Sequence, residues 1–192
     1  MKTIATTLLA TCLVVTALYA SAAKTTPQPA ATKKDAEALV ERGAYLVNAM
    51  ACDDCHTPLK MGEDGSIAPD MSRRLSGHPE GMQLPPPPKP VGPWLTSVAA
   101  TNTAWAGPWG ISYTANLTSD PETGLGSWTK ENFVRTVRTG RHLGQGRPIL
   151  PPMPIFAFRD LTDRDVEAIF AFLQTVPAIK NRVPTPTPPA AK

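Results

Sequence analysis

Cys52-Asp53-Asp54-Cys55-His56 sets two thiols one helical turn apart, with an imidazole directly after the second. Three chemistries share the first four residues. An exported protein with one close pair can close a disulfide. A thioredoxin-like redox pair uses the same spacing but expects a strand–helix–strand setting, which the flanking sequence does not offer. Half of a zinc site is the third; no second pair of cysteines follows, so His78 and His142 would have to complete it.

The surroundings select among these. Lys2 gives a short positive start, Ile4 to Ala20 carries no charge, and Ala20-Ser21-Ala22-Ala23 offers small residues for cleavage. This reads as an export signal over residues 1–23. A retained membrane anchor is the alternative, although the apolar run falls short of the roughly 20 residues a spanning helix needs. The chain has three cysteines, and Cys12 leaves with the signal. The remaining two are Cys52 and Cys55. With His56 beside them, they read as the attachment site of a c-type haem: each thiol forms a thioether to the porphyrin, and His56 projects onto the iron from the proximal side.

A second axial ligand is then expected. Methionine suits electron transfer because its thioether raises the potential. Met50 is too near Cys52 to reach the other side. Met61, Met71 and Met82 sit in polar, Gly- and Pro-rich sequence and read as ordinary surface or packing residues. Met153 lies in Ile149-Leu150-Pro151-Pro152-Met153-Pro154-Ile155-Phe156, where prolines on both sides stiffen the backbone. It is the favoured distal ligand. His142 is its rival, read as a plain exposed histidine, and His78 is expected to be exposed too.

Of 192 residues, 19 are basic and 16 acidic, a balance too even to argue for nucleic acid as a partner. The 22 prolines confine regular structure to a few segments. A linker is expected over 24–36, then a helix from about Asp35 to Met50 with Leu39, Leu46, Val47 and Met50 along one stripe and Gly43-Ala44 thinning one face. Residues 57–115 are a long Pro-rich loop insertion. Pro85 to Pro88 is expected to be extended, and Trp94, Trp105, Trp109 and Trp128 are expected to pack. A helix over about Lys130 to Thr139 starts behind Thr129 and stops at Gly140. The last helix follows Thr162-x-x-Asp165, with Val166, Ile169, Phe170 and Leu173 on one face and Pro177 beyond it. Residues 184–192 read as a disordered tail. No alternating run of useful length argues for a sheet, so the fold class is all-α with long loops.

Gly43-Ala44-Tyr45-Leu46-Val47 followed by Cys52-Asp53-Asp54-Cys55-His56-Thr57-Pro58 resembles the opening of class I cytochromes c. Asn116-Leu117-Thr118-Ser119-Asp120-Pro121-Glu122-Thr123-Gly124, Trp128 to Gly140, and Pro152-Met153-Pro154 with Leu161 to Pro177 resemble a bacterial branch of that family. That branch holds stand-alone periplasmic cytochromes and the cytochrome subunits of dehydrogenases. The resemblance covers about residues 37–183. It implies a class I cytochrome c-like fold, three to five helices around one covalent haem. It implies Cys52 and Cys55 at the thioethers and His56 and Met153 on the iron. It further implies that Gly43 and Ala44 form the small face on which Phe170 or Phe172 packs. The connection from His56 to Asn116 is longer than in small class I members.

Together these readings describe a periplasmic electron carrier rather than an enzyme. Its implied partners are a dehydrogenase, another cytochrome or an oxidase, with membrane contact only if the N-terminal segment is retained. An open-site haem peroxidase or gas sensor is the competing function.

Overall fold

The computed structural model describes residues 32–89 and 92–189. The expected export signal and most of the expected linker lie outside those residues.

Helix α1, Lys33–Ala49, begins earlier than the composition suggested. Thr32 and Asp35 form a reciprocal capping box: the Thr32 hydroxyl accepts from Asp35 N–H, and the Asp35 carboxylate accepts from Thr32 N–H at 2.9 Å. The short α2, Cys52–His56, follows after Ala51, whose left-handed backbone (φ 55°, ψ 37°) turns the chain sharply between the two helices. Helix α3, Lys130–Thr139, is capped by Thr129 and ends at a left-handed Gly140. Helix α4 is the brief Ile155–Phe158, and α5 runs Asp163–Leu173 behind the Thr162 cap. The expected apolar face of α5 is buried in full: Val166, Ile169, Phe170 and Leu173.

α1 and α5 cross at Gly43. A Cβ there would stand 1.9 Å from the Ala168 carbonyl oxygen and 2.7 Å from Phe172 Cβ, so no side chain fits. Around the crossing, Leu46, Val47, Leu75, Leu125, Ala168, Ile169, Leu173 and Val176 form the main core. A second cluster of Val137, Phe158 and Val166 lies where α3, α4 and α5 meet.

The all-α, class I cytochrome c-like expectation is corrected here. Beside the five α-helices, the described residues hold two antiparallel sheets, both inside the segment taken for a loop. Strands β1, Leu59–Met61, and β2, Ile67–Pro69, form a hairpin. Strands β3, Ser97–Val98, β4, Ala104–Gly107, and β5, Gly110–Tyr113, form a three-stranded sheet in that order. The strands are two to four residues long, too short for alternation to register in the sequence. Pro85 to Pro88 is without regular structure. Trp105, Trp109 and Trp128 are partly buried, but Trp94 stands 76% exposed, against the expectation that it packs.

Nor is the C-terminal segment free as far as residue 189. Thr187 exchanges two backbone hydrogen bonds with Ile111 of β5, at 2.8 and 2.9 Å. Gly110 permits that approach: its φ is +93°, and a Cβ would fall 2.0 Å from the Thr187 carbonyl oxygen. Upstream, fully buried Asn181 ties three loops together. Its amide donates to the carbonyls of Ser76 (2.7 Å) and His78 (2.9 Å), and its side-chain oxygen accepts from Arg73 (2.7 Å) and Glu80 N–H (2.8 Å). Its backbone N–H reaches Thr123 Oγ1 at 3.0 Å. Every hydrogen-bonding position of the buried side chain is thus used, as burial of an amide requires.

Candidate haem site

α2 is one turn of helix held at both faces. Asp53 is the anchor on one side. Arg74 donates to it through two bonds, Nε at 2.9 Å and Nη2 at 2.7 Å, and Thr57 Oγ1 donates at 3.0 Å. Burial pulls the Asp53 carboxyl upward, but the Arg74 guanidinium and Thr57 hydroxyl outweigh it and hold it below the usual carboxylate value. Thr57 Oγ1 also accepts from Leu75 N–H at 3.0 Å, and Gly77 N–H donates to the His56 carbonyl at 2.8 Å. Asn102 holds the other side, its amide donating to the Asp54 carbonyl at 2.7 Å.

His56, at the C-terminal end of α2, is 8% exposed. Its Nδ1 lies 2.8 Å from the Ala115 carbonyl oxygen. A carbonyl can only accept, so Nδ1 carries the proton and Nε2 keeps its lone pair. Burial lowers the pKa of the ring, with the Ala115 bond opposing, so the imidazole is neutral at neutral pH. A neutral ring with one nitrogen committed to a backbone carbonyl is the state in which histidine binds metals.

Cys52 and Cys55 are partly buried free thiols on the same turn. Burial, then the Asp53 charge, pushes Cys52 up to about 11; burial and Asp54 push Cys55 up as well. A dithiol redox centre works through a depressed thiol pKa, and these shifts run the other way. Among the described residues, no three or more His, Cys, Asp or Glu side chains gather into a metal cluster, so His78 and His142 do not complete a zinc set with the pair.

Met153 is partly buried against Val137, Phe158 and Val166, beside Met50, Phe133 and Leu161. Its carbonyl accepts from Ile155 N–H at 2.8 Å, and the Pro151 carbonyl accepts from the Ser112 hydroxyl. The rival methionines Met61, Met71 and Met82 are exposed at 72, 60 and 39%. His142 is exposed as expected, its ring edge-on to Trp128 at 5.1 Å. His78 is not. It is fully buried, with Nδ1 2.9 Å from Thr103 Oγ1 and its ring tilted on Tyr113 at 4.9 Å. Its partners lie on β5 and next to β4, the strands that the sequence concealed.

Two residues of the site escaped sequence reading for the same reason. Ser112 is on β5 and Ala115 two residues beyond it. This one strand end thus touches both the Met153 loop and the His56 ring. Neither residue type carries a signal, since one acts through a hydroxyl to a carbonyl and the other through its backbone.

The donor set fits a covalently attached haem. Two thiols share one helical turn, the adjacent imidazole presents a free Nε2, and one thioether is held partly buried by a braced loop. In the described residues no helix is long and apolar enough to cross a membrane.

No family model matches the chain. It is 36% identical over 77 residues to one of the subunits of the nicotinate dehydrogenase of Pseudomonas putida, covering 40% of this chain and 6% of that protein. It is 27% identical over 191 residues to the fructose dehydrogenase cytochrome subunit of Gluconobacter japonicus, covering 96% of this chain and 32% of the relative. Against the cytochrome c subunit of the quinone alcohol dehydrogenase of Gluconobacter oxydans it is 29% identical over 161 residues, 81% of this chain and 26% of the relative. The chain therefore spans a third or less of the length of these relatives, and what it resembles over most of its own length is the cytochrome subunits of dehydrogenases.

Proposed function

We propose that the chain is an electron-transfer protein, or the electron-transfer part of a dehydrogenase assembly, with one haem c attached at Cys52 and Cys55 and ligated by His56 and Met153. The observation that carries this is His56: a buried, neutral imidazole, one nitrogen spent on Ala115, directly after two thiols on one turn. When bound, the haem supplies one-electron exchange between ferric and ferrous iron.

The chain's own residues do the rest. Ala115 fixes the plane and tautomer of the His56 ring. Asp53, Arg74 and Thr57 hold α2 against residues 75–77, so the ring and both thiols keep one geometry. The prolines around Met153 and the Ser112 bond limit the freedom of the thioether. Two protein ligands leave no open position for oxygen or peroxide. The partners are a dehydrogenase as donor and another cytochrome or an oxidase as acceptor, and the place is the periplasm, with residues 1–23 as the export signal.

Optical spectra of the holoprotein test this, taken oxidised, reduced, and reduced under carbon monoxide. A c-type spectrum indifferent to carbon monoxide, with the weak iron–thioether band when oxidised, is expected. A spectrum that shifts with carbon monoxide overturns the Met153 assignment and favours an open-site peroxidase or sensor.

A further inference from the structure

The loop that carries Met153 has few ties to the rest of the chain. Residues 150–154 include three prolines, which have no N–H to donate. The Met153 and Pro154 carbonyls accept from Ile155 and Ala157 just beyond them, at 2.8 and 2.9 Å. Among the described residues, the one hydrogen bond from 150–154 to a distant segment is that of the Ser112 hydroxyl on the Pro151 carbonyl, at 2.5 Å.

That bond depends on where β5 stands. Ser112 has a single hydroxyl proton, and the Trp105 carbonyl of β4 lies 3.4 Å away as a second acceptor. The Trp109 indole N–H donates to the same hydroxyl oxygen at 3.3 Å. A small displacement of β5 away from residue 151 hands the proton to Trp105 and leaves the Met153 loop untied.

The C-terminal strap, residues 184–189, holds β5 from outside. β5 is an edge strand of its sheet, and Thr187 covers that edge. Thr187 N–H donates to the Ile111 carbonyl at 2.9 Å, and Ile111 N–H donates back at 2.8 Å. Ile111 is the residue before Ser112. Pro186 and Pro188 flank Thr187, so the pairing extends no further. Their fixed backbone angle also lowers the entropy the strap loses on docking. Pro186 and Pro188 share the walls of a cavity of about 270 Å³ with Trp109, Pro148 and Leu150. The strap thus borders both β5 and the stretch that leads into Met153.

A tail that merely rests on the surface is the plainer reading. It does not account for the fit at Gly110, where a Cβ would lie 2.0 Å from the Thr187 carbonyl oxygen and 2.7 Å from the Pro188 carbonyl carbon. Nor does it account for the register. Thr187 spends both backbone groups on Ile111, while Thr185, in the same Pro-Thr repeat, makes no hydrogen bond among the described residues.

We propose that the strap is a positioning element for the distal ligand: Thr187 fixes Ile111, which keeps the Ser112 hydroxyl on Pro151 and so keeps Met153 in place. The proposal rests on the electron-carrier reading, in which Met153 ligates the iron, and adds the segment that restrains it.

The test uses the full-length holoprotein. Thr187→Pro removes the N–H that bonds Ile111. Thr185→Pro makes the same chemical change two residues earlier, where no bond is lost. Imidazole, which competes with the thioether for the oxidised iron, is expected to bind roughly tenfold more tightly to Thr187→Pro than to the parent. The weak iron–thioether band of that variant is expected to vanish on heating well before global unfolding, read by far-ultraviolet circular dichroism. Thr185→Pro is expected to match the parent. Ser112→Ala is expected to tighten imidazole binding by itself, and adding Thr187→Pro to it to change the affinity by less than about twofold, because the two act through one bond. Unchanged affinity in Thr187→Pro, or an equal gain in Thr185→Pro, overturns the proposal. So does a band that is lost together with the global fold, or effects of Thr187→Pro and Ser112→Ala that multiply. A parent with covalent haem and no iron–thioether band overturns the Met153 ligation itself, and a parent without covalent haem overturns the electron-carrier reading.

Discussion

Gly43→Ala adds one methyl group at the tightest point of the fold. The new Cβ would lie 1.9 Å from the Ala168 carbonyl oxygen and 2.6 Å from its carbon. An ordinary carbon–oxygen contact is about 3.3 Å, so α1 and α5 must separate by roughly 1.4 Å there. Both sides of the clash are backbone, so no rotamer change relieves it. The separation loosens Leu46 and Val47 against Ile169 and Leu173, all now buried. Overpacking of this kind costs about 3 kcal/mol at the upper end of its range. Alanine's better helix propensity offsets about 1 kcal/mol of that. The net loss of about 2 kcal/mol corresponds to a melting point lower by roughly 4–8 °C in a domain of this size. Thermal unfolding followed by circular dichroism measures it. A variant that melts within about 2 °C of the parent would refute the claim that this crossing is closed to any side chain.

Asn181→Ala removes the side chain that joins residues 73–80 to the C-terminal segment. With Arg73 and two buried carbonyls left unpaired, stability is expected to fall by about 3 kcal/mol, read from the urea midpoint. Asp165 accepts from Arg42 at 2.9 Å and from Thr162 at 3.0 Å, and the Arg42 bond above all holds its carboxyl below the usual 3.8. A depressed carboxyl stabilises the fold above its unfolded pKa and loses that contribution as the pH falls through its folded value. Arg42→Met is therefore expected to narrow the stability gap between neutral pH and the acid side of 3.8, measured by denaturation across that range. Met153→Ala is expected to lower the reduction potential and open the iron to carbon monoxide; a native spectrum in that variant assigns the distal position elsewhere.

What the sequence revealed depended on how local the physics was. Thr129 and Gly140 bracket α3, and Thr162 with Asp165 starts α5, because caps are made by residues three apart. The Cys52-to-His56 turn is legible for the same reason. His78 looked like surface because Ser-Gly-His-Pro is polar, yet Thr103 and Asn181, 25 and 103 residues away, make it a buried group. The sheets escaped because two- to four-residue strands show no period.

The Asn181 clamp also has a direction in time. Synthesis delivers Cys52, Cys55 and His56 long before residue 181, so residues 73–80 wait without their amide partner for more than a hundred further peptide bonds. Contacts so distant in sequence close late in folding. The turn that carries Cys52 and Cys55 therefore passes through an interval in which residues 73–80, its support through Arg74 and Leu75, are not yet held, and the arrival of the Asn181 amide ends it.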